Sequence, residues 1–185
     1  MKLDKLSIAD VFCLTPRRFE DQRGYFRETY NQISFEAATG LNDHFIQDNH
    51  AYSALKGTIR GLHFQTPPMA QAKLVHVMRG AIWDVVVDLR RSSESYGKWV
   101  GVELSQENGK QLYVPEGFAH GYITLMDDCD VIYKVNQFYA PDHEAGLKWN
   151  DPMLAISWPD VGISPALSNK DQELTSFSDF KSCFT

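Results

Sequence analysis

Two β-branched runs broken only at Arg79-Gly80 span Lys73 to Leu89, and they constrain the fold more than any other stretch of the chain. Runs of this length and composition are strands, and a glycine-containing break between them is a turn signal, so the spacing predicts a β-hairpin. In the second arm Trp83, Val85, Val87 and Leu89 alternate with Ile82, Asp84, Val86 and Asp88, which predicts one core-packed face and one mixed face. Further strand-like runs follow at Trp99 to Leu104, Gln111 to Val114, Gly121 to Leu125 and Val131 to Phe138. Turn-rich pieces such as Gln106 to Lys110 and Met126 to Asp130 separate them. Short strands in close succession, with no long helices alternating between them, indicate an all-β sandwich or barrel rather than a nucleotide-binding α/β sheet. The clearest helix is short, Gln32 to Thr39, with Asn31 or Ser34 available as N-cap and Gly40 placed to end it. No fixed-period repeat, low-complexity stretch or linker divides the 185 residues, so one domain over 1–185 is expected, its last third made of loops and a helical end.

Composition removes several function classes. With 24 acidic and 18 basic side chains the net charge is −6, so a broad phosphate-neutralising face for nucleic acid is not expected. A few local cations can still build a site for a small anion. No window approaches the roughly 18 consecutive apolar residues of a membrane span, and Met1-Lys2-Leu3-Asp4-Lys5 lacks a signal-peptide core. No membrane partner and a cytoplasmic location are therefore expected. Cys13, Cys129 and Cys183 lie far apart without a C-x-x-C pair and read as packing or surface thiols. There is no G-x-G-x-x-G after a strand, no P-loop and no G-x-S-x-G elbow. His44, His50, His63, His76, His120 and His143 contain no H-x-H or H-x-x-x-H pair, so no metal is expected, although ligands on distant strands can converge.

What remains is a set of polar residues where a plain strand would be apolar. Arg60 and His63 lie within Lys56 to Gln65, Lys73 starts a strand, and His120 follows a turn in Val114 to Tyr122. Singly, each reads as a hydrogen-bonded core histidine or a solvated strand end; together they suggest a basic pocket. Strict alternation would put Arg60 and His63 on opposite faces. If both face one pocket, the strand must bulge or end between them, and Gly61 is the natural place.

Several strings occur in a family-like order: Arg23-Gly-Tyr-Phe-Arg-Glu28, Gln47-Asp-Asn-His50, Ile59-Arg-Gly-Leu-His-Phe-Gln65, Gln71-Ala-Lys-Leu-Val75, Val87-Asp-Leu-Arg90, Tyr113-Val-Pro-Glu-Gly-Phe-Ala-His-Gly121, Ile132-Tyr-Lys134 and Leu167-Ser-Asn-Lys-Asp171. From about Thr15 to Asp171 the chain resembles the dTDP-4-dehydrorhamnose 3,5-epimerases. The R-G-L-H-F-Q and P-E-G-F-A-H-G strings are specific in combination. The resemblance implies a cupin-type jelly-roll barrel with a few short helices, a homodimer, no metal or other cofactor, and a role in making L-rhamnose precursors. The implied substrate is a dTDP-linked 4-keto-6-deoxy hexose, whose C3 and C5 protons are acidified by the C4 carbonyl.

By that resemblance His63 is the base, supported by Asp171; Lys73 stands near the keto oxygen; Tyr133 is the proton donor. The residues matching the substrate-binding positions are Arg23, Glu28, Gln47, Asp48, Asn49, Arg60, Lys73, His120, Glu144 and Lys170. Arg23 and Arg60 suit a diphosphate, while Glu28 and Gln47 to Asn49 suit the base edge or ribose. Phe19, Tyr25 and Phe26 either pack on the thymine or in a core, and Tyr139 either shares the acid role or is structural. His76 stands where the family commonly has Arg, and Phe64 where Tyr is frequent, which bears on substrate choice. The tail from Gln172 to Thr185 carries no motif. Arg23, Arg60, Lys73 and Lys170 are expected in one cavity, against the sign of the net charge. A single-centre epimerase would share these residues, and two readings from other classes stand beside it: a non-catalytic sugar-nucleotide-binding barrel and a metal-dependent cupin oxygenase.

Overall fold

The computed structural model describes residues 1–185 as thirteen strands and two short α-helices. Strands β1 (Lys2–Lys5), β2 (Phe12–Thr15), β10 (Gln111–Val114), β7 (Lys73–Arg79), β12 (Cys129–Val135) and β5 (Gln47–Ser53) form a six-stranded sheet in that order. A five-stranded sheet runs β13 (Glu144–Gly146), β6 (Ile59–Gln65), β11 (Phe118–Thr124), β8 (Ala81–Asp88), β9 (Trp99–Ser105). Neighbouring strands are antiparallel throughout. The two sheets face each other across an apolar core that joins Val75, Val77 and Val131 of the first to Ile82, Val86 and Leu104 of the second. This is the all-β, two-sheet jelly-roll arrangement. Strands β3 (Arg18–Asp21) and β4 (Gly24–Arg27) stand apart as a two-stranded hairpin.

Helix α1 (Gln32–Thr39) has the caps its sequence predicts. The Asn31 side chain accepts from the Ser34 amide, and Gly40, at φ 73°, donates its N–H to the Glu36 carbonyl. The helix lays Phe35, fully buried, on Phe12, Leu14, Leu74 and Tyr113 of the six-stranded sheet. Burying such a ring stabilises by about 1.5–3 kcal/mol.

The Lys73 to Leu89 segment is not a hairpin. β7 and β8 belong to different sheets, and the chain arches from one to the other at Gly80, φ 80°. The reason is legible after the fact: a single residue separates the strands, whereas the common hairpin turns need at least two. Both arms are almost wholly buried because they face one another through the core instead of sharing an edge.

The faces of β8 also differ in use from the simple expectation. The apolar face, with Val85, Val87 and Leu89, packs outward under Leu147, Leu154 and Phe184 of the C-terminal third. The mixed face, with Ile82, Asp84 and Val86, is the one turned to the interior between the sheets. The C-terminal third is thus a cover for the second sheet rather than an appendage. Its motif-free tail contributes Phe177, Phe180 and Phe184, and Thr175 bridges to Leu147.

In β6 the pairing with β11 breaks where Gly61 stands. His63 opposes His120 and Arg60 opposes Tyr122, so Gly61 and Leu62 face the single residue Gly121. The Leu62 amide turns away to the Leu147 carbonyl. Gly61 has φ 123°, and a Cβ there would lie 2.6 Å from the Gly121 Cα and 2.8 Å from the His120 carbonyl oxygen. Only glycine fits this crossing. The extra residue turns Arg60 and His63 to the same side.

Candidate active site

A cavity of about 460 Å³ opens between the sheets, and both Arg60 and His63 reach it from β6. His120, the cross-strand neighbour of His63, lines it beside them, since residues directly opposite in an antiparallel pair share a face. The other sheet contributes Lys73 from the start of β7, in the inward row with Val75 and Val77, and Tyr133 from β12, in the row with Val131 and Val135. His63 and Tyr133 therefore approach from opposite sheets. The edge strand β5 adds Gln47 and Asn49, β13 adds Glu144, and helix α2 (Asn169–Gln172) adds Lys170 and Asp171.

Helix α2 exists to present Asp171. Ser168 caps it by accepting from the Asp171 amide at 3.1 Å. The Asp171 carboxylate, 4% exposed, then meets His63: Nε2 to Oδ1 is 2.5 Å. Burial alone would raise the Asp171 pKa, but the hydrogen bond and charge of His63, with Ser168 and the Gly61 amide, outweigh it and hold the carboxyl below its ordinary value. The bulge thus aims His63 at the carboxylate that α2 presents.

Lys73 is buried, and that burial pulls its pKa from 10.5 to about 8 against the opposing pull of Asp84 and Glu144. Its only hydrogen bond is a long one, Nζ to the His63 carbonyl at 3.4 Å. The ammonium is left with donors for something in the cavity. Burial raises the pKa of Tyr133, partly countered by Arg60, so the phenol keeps its proton at neutral pH. Arg60 is anchored on one side by Nε to Ser53 Oγ at 3.1 Å and Nη2 to the Tyr52 carbonyl at 2.8 Å. At the rim Glu144 accepts from Tyr139 Oη at 2.6 Å and pairs with Lys170 at 2.5 Å. Burial would raise Glu144, but these two partners bring it below its ordinary value.

Of the residues singled out in the sequence, Gln47, Asn49, Arg60, His63, Lys73, His120, Tyr133, Glu144, Lys170 and Asp171 come together, with Tyr139 at the rim. Three do not join them within the chain. Asp48 points the other way, because β5 is a regular strand that turns alternate residues outward, and it pairs with Lys134 at 2.7 Å. Arg23 sits in the turn of the β3–β4 hairpin, its side chain 89% exposed and paired with Asp21. Glu28 follows β4 and accepts from Asn31 at 3.4 Å. The expected gathering of four cations thus holds for Arg60, Lys73 and Lys170 but not for Arg23. Phe19, Tyr25 and Phe26 are in no core; all three are exposed on that hairpin. His76 lies outside the cavity, on the sheet's other face, where burial and the charges of Arg27 and Lys134 lower its pKa to about 4.

Sequence reasoning passed over Tyr122, Ser168 and Gln71, which also line the cavity. Alternation with His120 points to Tyr122, and the S-x-x-D spacing to Ser168. No three His, Cys, Asp or Glu side chains converge as metal ligands would, and the three cysteines are free. No helix is long and apolar enough to cross a membrane.

Residues 5–179 match the family model described as dTDP-4-dehydrorhamnose 3,5-epimerase. The chain is 48% identical to a dTDP-4-dehydrorhamnose 3,5-epimerase of Pseudomonas aeruginosa, over 100% of this chain and 99% of that one. A crystal structure of the Bacillus anthracis dTDP-4-dehydrorhamnose 3,5-epimerase with TDP and PPi bound superimposes with a TM-score of 0.91, at 49% identity, covering 95% of this chain and 99% of the other. A dTDP-6-deoxy-D-glucose-3,5-epimerase of Legionella pneumophila, in complex with dTDP-4-keto-L-rhamnose, gives 0.93 at 38% identity, covering 97% and 94%.

Proposed function

The chain belongs to the dTDP-4-dehydrorhamnose 3,5-epimerase family, and we propose from that premise that His63, Lys73, Tyr133 and Asp171 carry its reaction. The protein is an isomerase: it converts dTDP-4-dehydro-6-deoxy-D-glucose to dTDP-4-dehydro-L-rhamnose by inverting C3 and C5. In this reading a ring nitrogen of His63 takes the proton from C3 or C5, and the released electron pair moves to the C4 carbonyl oxygen. The Lys73 ammonium meets the resulting enolate in a site shielded from water. The Tyr133 hydroxyl gives its proton to the same carbon from the other side, and the enolate collapses to the ketone. A proton must then pass from the imidazolium back to the phenolate before the second centre reacts. The observation that carries this reading is His63 of one sheet, paired with buried Asp171 of α2, standing opposite Tyr133 and an uncommitted Lys73 on the other sheet.

Incubation with substrate in deuterated water should place label at both C3 and C5, read by mass spectrometry and proton NMR. Label at one carbon alone would make the protein a single-centre epimerase, and none at all would make it a binding barrel.

Arg60, His120, Lys170, Glu144, Gln47 and Asn49 would hold the dTDP portion, with Arg60 on the diphosphate. Arg23 and Glu28, with Phe19, Tyr25 and Phe26 beside them, are offered to solvent on the projecting hairpin. We infer a homodimer in which that hairpin completes the nucleotide end of the second copy's cavity, with Asp48 near the seam. Sedimentation should give about twice the 21.1 kDa chain mass, and Arg23→Ala should weaken dTDP binding about tenfold, the scale of one charged hydrogen bond. A monomer, or unchanged affinity, would sink this assembly. A single catalytic domain over 1–185 and a cytoplasmic location, which suits three free thiols, complete the reading.

A further inference from the structure

Asp84 has no structural task that accounts for it. It interrupts the inward row of β8 between Ile82 and Val86, both in the apolar core. Nearby Asp88 has an evident task, accepting hydrogen bonds from Arg90, Ser93 and Ser95. Asp84 is 0% exposed and makes one side-chain hydrogen bond, Oδ1 to His120 Nε2 at 2.5 Å. Its Oδ2 is buried without a partner. A carboxylate in such a place costs several kcal/mol that a valine would not. Charges held at that cost belong with sites where a specific field is used.

Two side chains of the cavity lie in that field. His120 is in direct contact. Lys73 arrives from the facing sheet, where Asp84 and Glu144 both favour its charged form against burial, and Glu144 is already engaged by Lys170 and Tyr139. The His63 carbonyl accepts from the Lys73 ammonium, and the same cavity is lined by the side chains of Arg60, His63, His120, Tyr133, Lys170 and Asp171. Around Asp84 stand His120, Lys73, Tyr122 and Cys13.

We propose that Asp84 is a positioning residue of the epimerisation: from the inward row of β8 it fixes the His120 ring at the cavity wall, and it stands in the interior that Lys73 enters from the facing sheet, where it directs that side chain at the enolate oxygen. The inference rests on the epimerase reading above. Asp84 never touches substrate; it acts through two groups that do.

The test is Asp84→Asn, which keeps shape and removes charge, followed as kcat/KM against pH with the dTDP-linked 4-keto substrate. Wild type should lose activity as pH rises through about 8, where Lys73 loses its proton. In D84N the fall should come about one pH unit lower, and kcat at neutral pH should drop at least about tenfold. D84E should return the alkaline fall toward wild type. A residue that only supports the fold would lower the melting temperature without moving that fall, so an unmoved profile in folded D84N overturns the proposal. Should D84N fail to fold, His120→Gln tests the same link from the cavity side. There the alkaline fall should stay near 8 while kcat/KM drops about tenfold, and kcat/KM within about twofold of wild type overturns the proposal. A wild-type protein that exchanges neither C3 nor C5 hydrogen would instead remove the underlying reading.

Discussion

His63→Ala should lower kcat by about a thousandfold while leaving the dissociation constant for dTDP within about threefold of wild type. Two imidazoles of the cavity pair with a buried carboxylate, His63 with Asp171 and His120 with Asp84, and His63 is the one open to a substrate, its side chain 30% exposed against 8%. Asp171 stabilises the imidazolium formed when the proton arrives, so removal of the ring removes both acceptor and its tuning. Binding should survive, because Arg60, Lys170 and His120 hold their places from other positions of the fold. Asp171 would lose a partner but keep its cap contact with Ser168, so the variant should fold. Turnover by single-turnover kinetics and dTDP affinity by calorimetry read the two parameters separately. Retention of more than about a tenth of wild-type kcat would assign the base elsewhere.

Lys73→Met should give a more stable and nearly inactive protein. An enolate oxygen without its fixed cation costs about 10² to 10³ in kcat, by analogy with loss of one oxyanion donor. Stability moves the other way. The Lys73 pKa is lower in the folded chain, about 8, than the ordinary 10.5, so the folded state is penalised wherever the lysine is charged in both states. That penalty, at most about 3 kcal/mol, is full below pH 8 and disappears as pH rises to 10.5. Methionine has similar length and no charge, so chemical denaturation should show K73M ahead at pH 7 and the advantage shrinking above pH 8. A variant less stable than wild type at pH 7 would mean that the ammonium is better compensated than its surroundings indicate.

Much of this site is legible in the sequence, and the limits have physical causes. Two-residue periodicity and turn residues locate the central strands, and cap chemistry locates α1, because these are local signals. The Gly61 irregularity is legible because alternation and a shared pocket contradict each other unless the strand bulges. The partner of a strand is not local. Nothing in Lys73 to Leu89 says that Gly80 carries the chain to the other sheet, except that one residue is too few for a hairpin turn. Asp48 shows the cost of carrying a motif over as a block: in a regular strand Gln47 and Asn49 face inward and the residue between them cannot. Arg23 shows that a sequence motif can fall on an element that leaves the body of its own chain. Asp84 was visible only as one polar member of a mixed face, and its significance depends on which face turns inward.

The arch at Gly80 also fixes when the protein becomes an enzyme. It carries the chain from the sheet of Lys73 back to the sheet that holds His63, and the cavity draws on positions from Gln47 to Asp171. No local hairpin or helix brings the base together with the proton donor or the enolate cation. The long loops between these strands must close before any catalytic group meets another, which makes assembly of the cavity a late and non-local event. Recovered turnover during refolding is therefore a measure of completed topology, whereas recovered strand content can come from either sheet forming alone.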